Sequence, residues 1–230
     1  MTIALRGTVQ SATAFPVNHS AITGLAANDL ILDIASNHNG GTAPVFDTTY
    51  TFTTIATGAY ASTRNYHYGR RIATGAETGI VTTSGASLAG VLYFALQAID
   101  TTTPIESYVS QENTFGTSCP FPASTPTTDN CWHIVLAQNT SSTDTISTGP
   151  TGYTALGSAI SAQGAAYAWY KDLGAGSSGV ATSASTVTWT GSISGFSAGF
   201  IVRPSASVTS DPAASTSRFT TSRHTFGTRR

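Results

Sequence analysis

The side chains able to carry acid–base, nucleophilic or metal chemistry are few in this sequence, and their spacing assembles none of the known motifs. Five histidines, His19, His38, His67, His133 and His224, lie far apart in unlike contexts. None forms an H-x-H, an H-E-x-x-H or a Cys-His cluster, the spacings that present two ligands to one metal from one face of an element. His67 and His133 fall in strand-like stretches, where a hydrogen-bonded structural histidine is the ordinary expectation. A serine activated by His38 and Asp33 would form a triad from distant positions, and no spacing supports it. The eleven carboxylates are Asp29, Asp33, Asp47, Asp100, Asp129, Asp144, Asp172, Asp211, Glu77, Glu106 and Glu112. Most border strands, where aspartate normally closes turns. A glycosidase would need two of them facing across a cleft, which sequence does not reveal. There is no G-x-S-x-G elbow, no calcium loop and no phosphate-binding G-x-x-x-x-G-K-[ST], since the single lysine, Lys171, follows Tyr170. Cys119 and Cys131 enclose eleven residues that include Pro120, Pro122 and Pro126. That spacing leaves open both a disulfide and two separate thiols, and no second Cys or His pair supports zinc. The expectation is a chain with no catalytic residue, no cofactor and no metal.

The elements that would position such groups are strands. Of 230 residues only 9% are charged, against about 25% in ordinary soluble proteins, while 68 are Ser or Thr and 10% are aromatic. A net charge of −1 excludes a basic nucleic-acid binder. The aromatic content argues against disorder. Scarce Leu, Glu, Lys and Arg argue against a helical bundle. No apolar run reaches the roughly 18 residues that a membrane-spanning helix needs, and no secretory leader is read at the N-terminus. Period-two alternation recurs at 30–35, 50–55, 66–72, 180–189 and 196–202, with a short strand at 80–83 and another at 167–170. Residues 91–99 and 131–137 are apolar on both faces and read as central strands buried on both sides. Residues 155–168 are the nearest to a helical pattern, but Gly157 and Gly164 would each cost about 1 kcal/mol there, so one short helix is the most that is expected. Ten or eleven strands with short Gly, Pro, Asn and Ser connections predict an all-β antiparallel sandwich of jelly-roll or lectin-like type. In the aromatic stretch Tyr50, Phe52, Tyr60, Tyr66 and Tyr68 the expected role is core and cross-strand packing. The neighbouring Arg64, Arg70 and Arg71 are candidates for ion pairs between subunits, because the chain has few acids to pair them internally.

The composition changes after Pro204. Residues 1–206 are read as the sandwich domain and 207–217, built of small residues, as a linker. Residues 218–230 carry four of the nine arginines, two phenylalanines and no acid. A free tail gains nothing from exposed phenylalanine, whose burial is worth about 2–3 kcal/mol. The expectation is an extended C-terminal arm that docks on a partner through Arg218, Phe219, Arg223, His224, Phe226, Arg229 and Arg230.

The order of several segments resembles a known group. These are Gly-Leu-Ala-Ala-Asn-Asp-Leu-Ile-Leu-Asp-Ile at 24–34, Ser-Leu-Ala-Gly-Val-Leu-Tyr-Phe-Ala-Leu-Gln-Ala-Ile-Asp at 87–100, Thr-Thr-Asp-Asn-Cys-Trp-His-Ile-Val-Leu-Ala at 127–137, Gly-Pro-Thr-Gly-Tyr at 149–153 and Gly-Phe-Ile-Val-Arg-Pro at 199–204. Over residues 5–206 this order resembles tailed-bacteriophage virion structural proteins with a jelly-roll or lectin-like sandwich. The Cys119/Cys131 pair and the 218–230 extension depart from that pattern. The resemblance carries over no catalytic residue. It implies a non-enzymatic protein, made in the bacterial cytoplasm and built into the virion, which decorates or bridges the capsid or tail surface. Its expected partners are other virion proteins and further copies of itself, with no nucleic acid and no membrane insertion. The alternative expectation is a carbohydrate- or receptor-binding module of a fibre or spike, with a host surface glycan stacked on Trp169 or Trp189.

Overall fold

Leu30, Leu32 and Ile34 alternate with Ile31, Asp33 and Ala35, and every one of these six is buried. A strand buried on both faces needs cover on both faces, and the fold supplies it twice. The computed structural model describes residues 2–12, 17–38, 52–60, 64–77, 80–81, 88–141, 143–161 and 164–206. The arm residues Arg218 to Arg230 and the linker before them lie outside the described residues.

The first sheet is drawn from the N-terminal half. It contains β1 (Ala4–Ala12), β3 (Leu30–His38), β4 (Thr53–Tyr60), β5 (Arg64–Ile72) and β7 (Leu88–Gln97), in the antiparallel order β1-β7-β3-β5-β4. The short strands β2 (Val17–Asn18) and β6 (Ile80–Val81) pair separately. The second sheet comes from the C-terminal half: β8 (Ile105–Phe121), β9 (Trp132–Asn139), β11 (Thr154–Ser161), β12 (Gly164–Asp172) and β13 (Ser185–Val202). They lie in the order β11-β12-β9-β13-β8, with β10 (Ile146–Thr148) also on β13. The two sheets pack face to face as an antiparallel β-sandwich, and the described residues contain no α-helix.

The inter-sheet core is the set of inward positions that the alternation predicts. Leu32, Ile34, Tyr68, Leu92, Phe94 and Leu96 from one sheet meet Ile134, Leu136, Ala168, Phe196, Phe200 and Val202 from the other. The two central strands expected to be apolar on both faces are so placed: residues 91–96 of β7 and all of β9 are buried. Residues 155–161 and 164–168 form no helix; they lie in β11 and β12, which pair antiparallel. Alanine is small enough for either structure, and the two glycines that penalise a helix are tolerated here. Gly157 lies against Val9, where an added Cβ would sit 3.1 Å from the Val9 side chain, so its lack of a side chain lets β11 approach β1.

β8 and β13, far apart in sequence, pair as one long antiparallel ribbon that does two jobs. Its proximal half, 105–113 with 195–202, lies in the second sheet beside β9. Register shifts between Thr188 and Gly195 interrupt the ladder, and such bulges bend the strand that carries them. The distal half carries Cys119, Phe121, Val187, Trp189 and Ile193 onto the outer face of the second sheet, against Val135, Ala137, Tyr167 and Trp169. The outer face of the first sheet is covered in turn by the segment that contains Ile22 and Leu25, packed on Ile31, Ala35, Val91 and Tyr93.

Candidate functional site

Three places bring ionisable or polar side chains together, and each grows out of the strands that carry it. The first is on the outer face of the first sheet. Asp33 lies on β3 between Ile31 and Ala35, so alternation aims it outward into the covering segment. There His19, in a short 3-10 turn (His19–Ala21), places Nε2 2.9 Å from each oxygen of the Asp33 carboxylate. Both side chains are buried, and the imidazole is flanked by the Phe52 ring at 5.6 Å and the Tyr93 ring at 5.9 Å. Burial, with Asp33 adding to it, raises the Tyr93 hydroxyl above its ordinary pKa. Arg71 faces the same side, forms an ion pair with Glu77 and lies over Phe52 at 5.8 Å. Arg6 donates to both oxygens of Asp29, at 2.8 and 3.1 Å, and the Ala26 amide donates to the same carboxylate. These contacts strap residues 19–29 and 73–77 onto the sheet. A His–carboxylate pair activates a nucleophile only when that nucleophile is within hydrogen-bond reach and open to substrate. Here the pair lies beneath the strap. Asp33 is engaged by His19.

The second place is on the outer face of the second sheet. His133 is buried on β9, with Nδ1 2.7 Å from the Tyr153 hydroxyl. Its Nε2 has no hydrogen-bond partner and faces Gly199, where an added Cβ would sit 2.7 Å from that nitrogen. Burial, aided by the positive charge of Lys171, pushes the imidazole pKa down to about 4. The Lys171 ammonium lies 5.9 Å from the Tyr153 ring centroid. Neutral at pH 7 and enclosed, His133 acts as a packing residue.

The third place is a groove of about 250 Å3 between β4 and β8, the edge strands on one side of the sandwich. Arg70, Glu106, Ser107 and Tyr108 line it together with Thr53 to Ile55. Glu106 is occupied on both oxygens: one accepts from the backbone amide and the hydroxyl of Thr127, the other lies 3.4 Å from the Cys131 thiol.

The cysteines are both buried free thiols with separate surroundings. The Asn113 amide donates to Cys119 Sγ at 3.1 Å, and the Cys131 thiol donates to the Thr128 carbonyl at 3.1 Å. The disulfide that the spacing allowed is not formed. Burial raises both thiols to about 12, with Glu106 reinforcing the effect at Cys131. The thiolate is the reactive form. A thiol reagent at pH 7.5 is therefore expected to modify neither cysteine in the folded protein and both after denaturation. An absence of free thiol after denaturation without reductant would mean that the two are bonded.

Trp169 and Trp189, the proposed sugar platforms, are both buried: Trp169 stacks on Tyr167 at 5.9 Å and Trp189 is only 2% exposed. Tyr66 and Tyr68 are core residues, as expected, and Tyr66 stacks on Phe196 at 4.4 Å. Arg71 pairs internally and Arg64 is buried, donating to the Thr140 carbonyl at 2.8 Å. Arg70, Arg71 and Arg64 were equivalent in the sequence, and only Arg70 opens into a groove. Its neighbour in sequence gave the usable signal, since adjacent residues of a strand face opposite sides. Among the described residues no cluster of three or more His, Cys, Asp or Glu could hold a metal, and no helix is long and apolar enough to cross a membrane. Comparison with known protein families, curated proteins and solved structures finds no match to this chain.

Proposed function

We propose that this chain is a non-enzymatic structural protein of a tailed-bacteriophage virion, which decorates or bridges the capsid or tail surface through contacts with neighbouring subunits. One observation carries the reading. The described body spends most of its charged and aromatic side chains on itself and turns many small hydroxyl residues outward. Arg6, Arg71 and Arg203 pair with Asp29, Glu77 and Asp100. Three apolar clusters fill the inside and both outer faces. The exposed positions of the edge and hairpin strands include Thr53, Thr54, Thr57, Ser110, Thr117, Thr154, Ser158, Thr186 and Thr188. Charge is depleted at the centres of protein interfaces, and a surface of this kind packs against a neighbour with little repulsion. The arm residues Arg218, Phe219, Arg223, His224, Phe226, Arg229 and Arg230 add cationic and aromatic side chains for contact with a neighbour. The test is co-sedimentation: the chain should travel with purified particles in many stoichiometric copies, measured by quantitative mass spectrometry. Its absence from washed particles would overturn the proposal.

A further inference from the structure

Six of the ten cationic side chains fall within the described residues, and five of them have a partner there. Arg6, Arg71 and Arg203 have acids, Arg64 has the Thr140 carbonyl, and Lys171 has the Tyr153 ring. Arg70 alone has none among the described residues. It lies on the inner face of β5, opposite Leu32 on one side and Thr53 on the other, and reaches out between the sheets into the β4/β8 groove. The nearby acid, Glu106, is already committed to Thr127 and Cys131. Burial lowers the Arg70 pKa, which marks a guanidinium partly removed from water without a compensating charge.

The walls of the groove are sheet edges. Among the described residues β4 pairs only with β5, and β8 only with β13. Each edge therefore turns unpaired backbone N–H and C=O groups outward. Edge strands are ordinarily blunted by charge or proline. β4, Thr-Thr-Ile-Ala-Thr-Gly-Ala-Tyr, has neither. Between the edges, Ile55 and Ile105 give an aliphatic lining. Tyr108 turns its ring against Tyr68 in an edge-on contact at 6.4 Å, so it offers no open face for a sugar ring. Backbone edges, aliphatic lining and one free guanidinium are the recognition elements of strand addition with a single acidic anchor.

We propose that the β4/β8 groove docks an extended peptide segment of a partner protein, which adds as a strand to a sheet edge and places an Asp or Glu carboxylate on the Arg70 guanidinium. This deepens the proposed structural role by naming the side of the body and the chemistry of its neighbour. It also stands apart from that role in the test, because peptide binding is measured without particles.

The experiment titrates the full-length 15N-labelled protein with acetylated, amidated Thr-Val-Asp-Val-Thr. The controls are the Asn counterpart of that peptide and glucuronate. The expected result is chemical-shift change at the amides of 53–55 and 105–108 and at the Arg70 Nε–H. The Asn peptide and the R70Q protein should each bind about tenfold more weakly or worse, as for loss of a charge-assisted bidentate contact. T53E sets a carboxylate directly across from Arg70 and should block the site, which keeps the test decisive if R70Q folds poorly. Four results would overturn the proposal: no shift at millimolar peptide, equal binding of the Asn peptide, undiminished binding to both variants, or glucuronate binding more tightly than the peptide. The last would assign the groove to acidic sugars. A protein that fails this test and still co-sediments with particles docks through another surface.

Discussion

Lowering the pH from 6.5 to about 4 is expected to remove on the order of 3 kcal/mol of folding stability through one side chain, His133. The imidazole is 1% exposed and its Nε2 faces Gly199 without a partner. Protonation would bury an uncompensated N–H beside the positive charge of Lys171. Burial first, and Lys171 second, therefore depress the folded pKa from 6.5 to about 4. The unfolded chain takes up a proton as the pH falls through 6.5, and the folded chain does not until about 4. More protons are bound in the unfolded state across that window, so stability falls as pH falls. The loss is complete near the folded value, at about 1.4 kcal/mol per unit. Urea unfolding at pH 7, 6, 5 and 4 measures it. H133N keeps a hydrogen-bonding group for the Tyr153 hydroxyl and removes the titration, so it should lose about 3 kcal/mol less over the same range. Parallel curves for the two proteins would show that His133 is not held neutral by its surroundings. The thiols work in the opposite part of the scale. Their folded pKa values, raised to about 12, make stability fall as pH rises above 9, where only the unfolded chain ionises them.

Trp189→Ala is expected to cost about 3–5 kcal/mol, the range for truncating a large buried aromatic. Trp189 sits in the folded-back half of the β8–β13 ribbon and packs on Tyr167 with a ring separation of 5.8 Å. Its loss would open a cavity between that half and the sheet beneath, lined by Val135, Ala137 and Tyr167. Val180, 59% exposed, is the control: Val180→Ala should change stability by no more than about 0.5 kcal/mol. Denaturant midpoints of the two variants give the comparison. A Trp189→Ala protein as stable as the parent would mean that the indole is accessible, and the stacking platform for a glycan would again have its central residue.

The sandwich was legible where alternation was strong or where an apolar run filled both faces. Residues 30–35, 66–72, 91–99, 131–137 and 196–202 fall in or against β3, β5, β7, β9 and β13 as read. It was illegible where a strand's outward face is as small or as polar as its inward one. β1 was missed because Gly7, at φ +63°, and the register shift between Arg6 and Gln10 break its period. β8 was missed because it is an edge strand whose Ser, Gln, Glu and Thr side chains resemble a loop. Residues 180–189 and 196–202 read as two separate strands, with Gly191 and Gly195 between them. Both glycines accompany register shifts inside one strand, β13, that let the β8–β13 ribbon cover its own sheet. The groups of chemical interest were harder still. His19 meets Asp33 only because a covering segment returns over β3, and Arg70 differs from Arg71 only by the face each takes on β5. Both facts depend on contacts between distant segments, to which spacing along the chain is blind.

The account stands most directly on where the protein resides. Electron cryo-microscopy of purified particles should reveal repeated density that fits this two-sheet body, with the β4/β8 side turned toward a neighbouring subunit. Particles of full composition that lack this body, with the chain recovered only in the soluble fraction, would contradict it.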